Sequence, residues 1–386
     1  MPQLLVPYWR LSFFYFCFFA LLGALHPYWS LYLYSKGFTV ADIGILLAMP
    51  MATKIIAPNI WGWLSDYTGK RLAAIRLGAF LSCLCFLCIF IDQKFWSIAL
   101  VMIGYSFFWN AILPQHEVIT MSYLEKTPET YSRIRLWGSI GFIISVLGGG
   151  FWFDSSDIDT LPVIGVLLLF GIFLASMFVP KSAPRPNQSS PERFILTAVK
   201  PAVIIFLMVG LLMQLSHGVY YSFFSIYLES FGYSRSAIGV IWSVGVVAEV
   251  VIFLLMSKLL LRFGVRKIIL ICLALATMRW LTIGFHADNL TLLISSQISH
   301  AFTFGAFHAA CIECVRRLFD VNCQGKAQAL YSSCCYGVGG AIGSCTGGLV
   351  WDMMPLYAFI YAALASFIAF MVAFFWLKDT KLELGK

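Results

Sequence analysis

Ser30-Leu31-Tyr32-Leu33-Tyr34-Ser35-Lys36-Gly37 returns 195 positions later as Ser225-Ile226-Tyr227-Leu228-Glu229-Ser230-Phe231-Gly232. The match continues without a gap. Ile43 and Gly44 fall on Ile238 and Gly239, and Leu64, Gly69 and Arg71 fall on Leu259, Gly264 and Arg266. From 28 to 71 there are ten identities in 44 positions. Apolar segments share some residues by chance, but glycines and a closing arginine are not apolar filler. Farther on, Gly149-Gly150 with Asp154 matches Gly347-Gly348 with Asp352 at an offset of 198. The chain reads as a duplication.

The duplicated material is lipid-soluble. Of 386 residues, 60% are hydrophobic and 11% charged, against roughly a quarter charged in soluble proteins. The mean hydropathy is +0.86. Such a chain cannot present a charged shell to water on every side, which excludes a soluble globular enzyme. Apolar runs of membrane length fall at 8–34, 42–65, 72–92, 96–122, 135–153, 161–179, 201–231, 237–260, 268–286, 290–314, 328–350 and 355–377. The runs are continuously apolar, unlike the alternating strands of a membrane barrel. The fold class expected is an all-α polytopic membrane protein of twelve transmembrane helices in two six-helix bundles related by pseudo-twofold symmetry. The longest polar stretch holds Ser182-Ala183-Pro184-Arg185-Pro186-Asn187-Gln188-Ser189-Ser190-Pro191 and divides the chain almost in half. The expected organisation is an N-terminal bundle over 1–180, a cytoplasmic linker over 181–200, and a C-terminal bundle with a short tail over 201–386.

The net charge of +8 comes from 26 Lys and Arg against 18 Asp and Glu. With a cytoplasmic N-terminus, 21 of the 26 cations fall on the cytoplasmic side, three (Lys36, Lys94, Arg235) outside, and two (Lys54, Arg279) inside spans. The positive-inside rule then puts both termini in the cytoplasm, in an inner-membrane protein. The excess is topology, and no nucleic-acid partner is needed. Cys85/Cys88 and Cys311/Cys314 have Cys-x-x-Cys spacing, but they lie in apolar helical stretches without a second ligand pair, so neither a redox motif nor a metal site is expected. No nucleophile elbow, His-Glu-x-x-His or phosphate loop is present, which argues against an enzyme.

Two halves of like topology, related by an axis along the membrane normal, are a common plan for transporters with a midplane site. The offset of 195 aligns Lys54 with Glu249, both deep in apolar spans. An ionisable side chain there costs about 2.5–3.5 kcal/mol or more against lipid, so each is expected to face a wet cavity or a partner.

After the second run the chain reads Gly62-Trp63-Leu64-Ser65-Asp66-Tyr67-Thr68-Gly69-Lys70-Arg71. This resembles the loop motif of the major facilitator superfamily, and the resemblance implies a gating role for Gly62, Asp66, Gly69, Lys70 and Arg71. The second copy keeps Gly264 and Arg266 but has Leu261 at the acidic position, so a one-sided latch is expected. Arg133-Ile134-Arg135-Leu136-Trp137-Gly138-Ser139-Ile140-Gly141 resembles the branch of proton symporters that includes phenylpropionate and lactose permeases. That resemblance implies that Glu117, 18 residues before Arg135, pairs with it at the substrate, and that Glu249, Arg279 and His300 handle the proton. Three residues after the histidine, where lactose permease has its proton-binding glutamate, this chain has Thr303. Phenylpropionate permease-type sequences also lack that acid, which favours their branch and leaves Glu249 as the remaining acid.

Helical spacing places Asn110, Pro114 and Glu117 on one face, with Gln214, His217 and Tyr221, Trp242 and Glu249, and His300, Thr303 and Phe307 on three others. Lys54, Arg135 and Arg279 against Glu117 and Glu249 leave one formal positive charge over, which attracts anions in a low-dielectric cavity. The function expected is symport of a proton with a small organic anion such as an aromatic carboxylate. Substrate contacts are expected from Glu117, Arg135, Lys54, Asn110 and Trp242, and proton coupling from Glu249, Arg279 and His300. No cofactor is expected, the proton gradient being the energy source, and the partners expected are substrate, proton and bilayer, with the chain a monomer. Symport of a neutral sugar or nucleoside is the alternative, and a non-transporting membrane receptor a remote one.

Overall fold

The computed structural model describes residues 6–124, 127, 130–181, 191–320 and 323–378, with backbone only at 191–193. In a medium without water every backbone N–H and C=O must find its partner inside its own segment, so the apolar runs become helices. They are α1 (Tyr8–Ser35), α2 (Val40–Thr68), α3 (Arg71–Leu87), α4 (Phe95–Tyr123), α5 (Thr130–Ser155), α6 (Leu161–Phe178), the short α7 (Pro191–Ala198), α8 (Pro201–Ser230), α9 (Arg235–Phe263), α10 (Val265–His286), α11 (Leu290–Leu318), α12 (residues 324–351) and α13 (Pro355–Trp376). No strand lies among the described residues. Eleven of these helices are long and apolar enough to cross a membrane. The remaining expected run lies in α12, where Ser332–Gly339 is π-helical between two α-helical pieces. A second π-helical segment, Ala301–Ala306, interrupts α11. The expected linker falls mostly on 182–190, outside the described residues; its end forms α7.

The duplication is visible atom by atom at the helix ends. Among the described residues, positive φ occurs at four glycines, Gly37 (83°), Gly232 (83°), Gly69 (67°) and Gly264 (77°), which are two pairs at the 195 offset. Gly37 N–H donates to Tyr34 O at 3.0 Å and Phe38 N–H to Leu33 O at 3.3 Å. The second copy repeats this: Gly232 N–H to Glu229 O at 3.0 Å, Tyr233 N–H to Leu228 O at 3.2 Å. Both are Schellman caps, which need a left-handed residue after the last helical turn, and that is the physical reason the glycines recur.

The next helix starts are also alike, with one exchange. At α2, Asp42 N–H donates to Thr39 Oγ1 at 3.1 Å and Thr39 N–H to Asp42 Oδ2 at 3.2 Å, a reciprocal cap. At α9, Ala237 N–H donates to Ser234 Oγ at 3.2 Å, but no acid occupies position 237. A carboxylate reaches this helix start from elsewhere: Asp154, at the end of α5, accepts from Ser236 N–H, a different donor of the same first turn, at 3.2 Å.

The helices pack into two compact units. One holds residues 6–38, 56–181 and 234–240 of the described chain, and the other holds 39–55, 191–233 and 241–378. In the first, Tyr28 Oη donates to Val146 O at 2.7 Å, and a Cβ on Gly239 would lie 2.7 Å from that same carbonyl. In the second, Ser344 Oγ donates to Gly44 O at 2.9 Å. A Cβ on Gly339 would lie 2.5 Å from Leu211 O, so α8 and α12 touch backbone to backbone. A buried cluster including Phe206, Met213, Ile269, Leu273, Phe307 and Cys311 joins α8, α10 and α11 in this unit.

Candidate functional site

The first cluster is built by α1, α4 and α5. Arg135 stands in the second turn of α5 because the helix starts at Thr130, ahead of the apolar run. Its guanidinium lies 3.8 Å from the Phe19 ring centroid and 5.6 Å from that of Tyr15. Among the described residues no oxygen accepts a hydrogen bond from it. Glu117, on α4, takes a long hydrogen bond from Tyr131 Oη at 3.4 Å and lies in the field of Arg135 without forming an ion pair with it. Beside Glu117, fully buried His116 is wedged between the Phe14 ring (4.1 Å between centroids) and Tyr15 (4.8 Å). Asn110 is buried two turns away on α4, next to Trp109, which stacks on Phe18 at 4.5 Å. The cluster is an unsatisfied cation on an aromatic floor, with a carboxylate and a phenol at its side.

The loop motif belongs to the same unit. Asp66 and Arg71 form an ion pair across the α2–α3 turn, which Gly69 makes with its positive φ. Arg71 Nη1 also donates to Gln115 Oε1 of α4 at 2.8 Å. Gly62 faces that same Gln115, whose Nε2 would lie 3.8 Å from an added Cβ. Lys70 is exposed and immediately precedes α3. In the second copy Leu261 is 89% exposed and can hold no such pair. Arg266 points to α13 instead, donating to Leu377 O at 2.5 Å and Phe374 O at 2.7 Å. This is the part played in the first copy by Arg76, which donates to Ser176 O at 3.3 Å and Met177 O at 3.1 Å of α6.

The second cluster, in the other unit, is built by α8 to α11. Arg279 is 2% exposed and lies 4.3 Å from the ring of Tyr220 and 4.4 Å from that of Trp280, two rings that themselves touch at 5.4 Å. It donates to Ser296 O at 3.0 Å, Thr303 Oγ1 at 3.2 Å and Gln297 Oε1 at 3.3 Å. His300 Nε2 is 3.9 Å from the Glu249 carboxylate. Glycines make the room: an added Cβ would lie 3.1 Å from Glu249 Cγ at Gly305 and 3.3 Å from His300 Cδ2 at Gly245. Trp242 Nε1 donates to Ser225 Oγ at 3.0 Å, and its rings lie 4.9 Å from the Tyr220 ring. Lys54 belongs to this unit, but its ammonium has neither acceptor nor ion pair among the described residues; only its carbonyl is engaged, by Ser333 Oγ at 3.5 Å.

The predicted residues therefore fall into two sets, Asn110, Glu117 and Arg135 in one unit and Lys54, Trp242, Glu249, Arg279 and His300 in the other. The aligned pair Lys54 and Glu249 does not form an ion pair. One expected face also differs. Instead of a common stripe of His300, Thr303 and Phe307, the rings of His300 and Phe304 stack (5.3 Å, 11°) and Phe304 stacks on His308 (6.4 Å, 12°). Thr303 turns to Arg279, and Phe307 enters the core. The residues not foreseen are Phe19, Tyr15 and Tyr131 around Arg135, and Tyr220 and Gln297 around Arg279. Tyr131 escaped because it precedes the apolar run, although it lies one helical turn before Arg135. No group of three His, Cys, Asp or Glu side chains suited to a metal occurs among the described residues.

A sequence profile described as the MFS_1 like family matches residues 8–362. The "Probable 3-phenylpropionic acid transporter" of Escherichia coli (strain K12) is 32% identical over 363 residues, covering 91% of this chain and 93% of that protein. The maltose permease of Geobacillus stearothermophilus is 25% identical over 358 residues, covering 90% and 89%. The crystal structure of the nucleoside transporter NupG superposes with a TM-score of 0.82 over 96% of this chain and 99% of that one, at 20% identity, and so shows the same fold.

Proposed function

This chain belongs to the MFS_1 like family of major facilitator transporters and is a multi-pass membrane protein, and from that premise we propose that it carries a small organic anion together with a proton by alternating access. The observation that supports the anion is Arg135. A planar guanidinium with unengaged donors matches a carboxylate in bidentate fashion. Phe19 behind it offers a surface for an aromatic ring, and the name of the Escherichia coli relative, a 3-phenylpropionic acid transporter, points to the same chemistry. Glu117 and Tyr131 orient the substrate beside it. Glu249, 3.9 Å from His300, carries the proton, with Arg279 close by.

The chain works without a cofactor, as a monomer of two bundles over 1–180 and 201–386, in the inner membrane with both termini cytoplasmic, as the sorting of its cations implies. The test is uptake of labelled 3-phenylpropionate into proteoliposomes under an imposed pH gradient. Accumulation that collapses with the gradient is expected. A neutral sugar or nucleoside accumulating while aromatic acids neither enter nor compete overturns the anion reading. Glu249→Gln is expected to retain substrate exchange at equal concentrations and to lose gradient-driven accumulation; normal accumulation removes Glu249 from the proton path.

A further inference from the structure

Glu117 and Arg135 carry opposite charges in one cluster, yet they stay apart: the carboxylate lies in the field of the guanidinium and forms no ion pair with it. Opposite charges attract strongly in apolar surroundings, so each must be held where it is. Gly138, buried one turn beyond Arg135 on α5, explains the cation. A Cβ there would lie 2.7 Å from Arg135 Nη1 and 2.8 Å from Phe19 Cδ2. The missing side chain is the slot in which the guanidinium rests on the Phe19 ring, 3.8 Å from its centroid. The walls of that slot are fixed. A Cβ on Gly141 would lie 2.3 Å from Phe16 O, and one on Gly23 2.3 Å from Phe142 O, so α1 and α5 touch backbone to backbone on both sides of Phe19.

The carboxylate has its own tether. Tyr131, one turn before Arg135 on the same helix, donates from Oη to Glu117 Oε1 at 3.4 Å. An alanine at 138 would meet the far end of a flexible side chain on α5, so the helices stay and the guanidinium moves. The carboxylate within its field is that of Glu117. A receptor closed in this way holds its own carboxylate where the substrate's belongs, and an arriving anion must displace it. Held apart, the guanidinium keeps its fork of donors unengaged, and the site is organised before the anion arrives.

We infer that Gly138 and Tyr131 are positioning residues that keep the anion receptor open, the first by giving Arg135 its slot on Phe19, the second by tethering Glu117. The inference rests on Arg135 as the receptor in the function proposed above, but its test needs no substrate. Phenylglyoxal modifies free guanidinium groups and reacts more slowly where a carboxylate pairs with them. Peptide mass spectrometry of the full-length protein in detergent reads its rate at Arg135. Wild type is expected to label there, Gly138→Ala about tenfold more slowly, and Tyr131→Phe more slowly by a smaller factor. Adding Glu117→Gln to either variant is expected to restore the wild-type rate, because the competing charge is gone. Gly148→Ala, on the same helix with nothing within 4 Å of the added Cβ, is the control and keeps the wild-type rate. Thermal unfolding checks that each variant is folded, and Tyr131→Phe with its Glu117→Gln rescue carries the test if Gly138→Ala is not. An unreactive Arg135 in wild type, a wild-type rate in the folded variants, or a slow rate that Glu117→Gln does not restore overturns the inference. Labelling that follows the expected pattern in a protein that binds no aromatic acid overturns the proposed function instead and leaves the open arginine standing.

Discussion

Arg135 and Arg279 are both cations within apolar helices, and the protein treats them oppositely. Arg279 is engaged: two rings contact it and three protein oxygens accept from it, one at each nitrogen. Arg135 has the aromatic platform alone. A buried cation without a carboxylate is tolerable when neutral groups accept from it, and each of the three Arg279 nitrogens has such an acceptor within its own unit. Arg135 has one only when something else supplies the oxygens. The same side chain is thus held by protein oxygens in one unit and, in the function proposed above, held open for the anion in the other.

The largest test of this contrast is Arg279→Gln. It orphans acceptors and removes the cation from two ring contacts, and a stability loss on the order of 3 kcal/mol is expected, read as earlier thermal unfolding in detergent. Should Arg279→Gln unfold like wild type but fail to bind, the roles are reversed. Next, Arg135→Gln is expected to leave unfolding within about 1 kcal/mol of wild type and to weaken anion binding roughly 10–100-fold. Arg135→Lys should recover only part of this, because an ammonium lacks the fork; direct binding calorimetry with 3-phenylpropionate decides it. Thr303→Val removes the 3.2 Å acceptor from Arg279 and is expected to cost about 1 kcal/mol of stability, with binding affinity little changed. Smallest is a control on the shared frame. Gly37→Ala and Gly232→Ala, each at φ 83°, should each cost about 1 kcal/mol, and a clearly unequal pair would show that the two caps are not equivalent.

Much of this is legible in the order of residues alone. The repeat announces the glycines at 37, 69, 232 and 264, since a left-handed cap residue leaves a fixed residue type at a fixed offset. The scarcity of charge makes Glu117, Arg135, Glu249, Arg279 and His300 stand out. The stacking of His300, Phe304 and His308 is not singled out by the sequence, because i, i+4 spacing and the i, i+3, i+7 stripe of His300, Thr303 and Phe307 are equally helical and only packing decides between them. Nor is the exchange of partners by Arg266, which aligns with Arg71 but performs the task of Arg76. Alignment preserves residue type and offset, while contacts depend on which helix end lies alongside. The same holds at α9, whose first turn lacks an Asp42 equivalent and is reached by the carboxylate of Asp154 from α5.

The sequence by itself determined that the chain lives in lipid, that it is all helix, which runs form the spans, and that the halves are copies. These follow from hydrophobicity, backbone hydrogen bonding and residue identity, which are local or additive. Only the tertiary structure decided which arginine is satisfied and which is left open, because a guanidinium is satisfied by oxygens brought from other helices, and no spacing along one helix records their arrival.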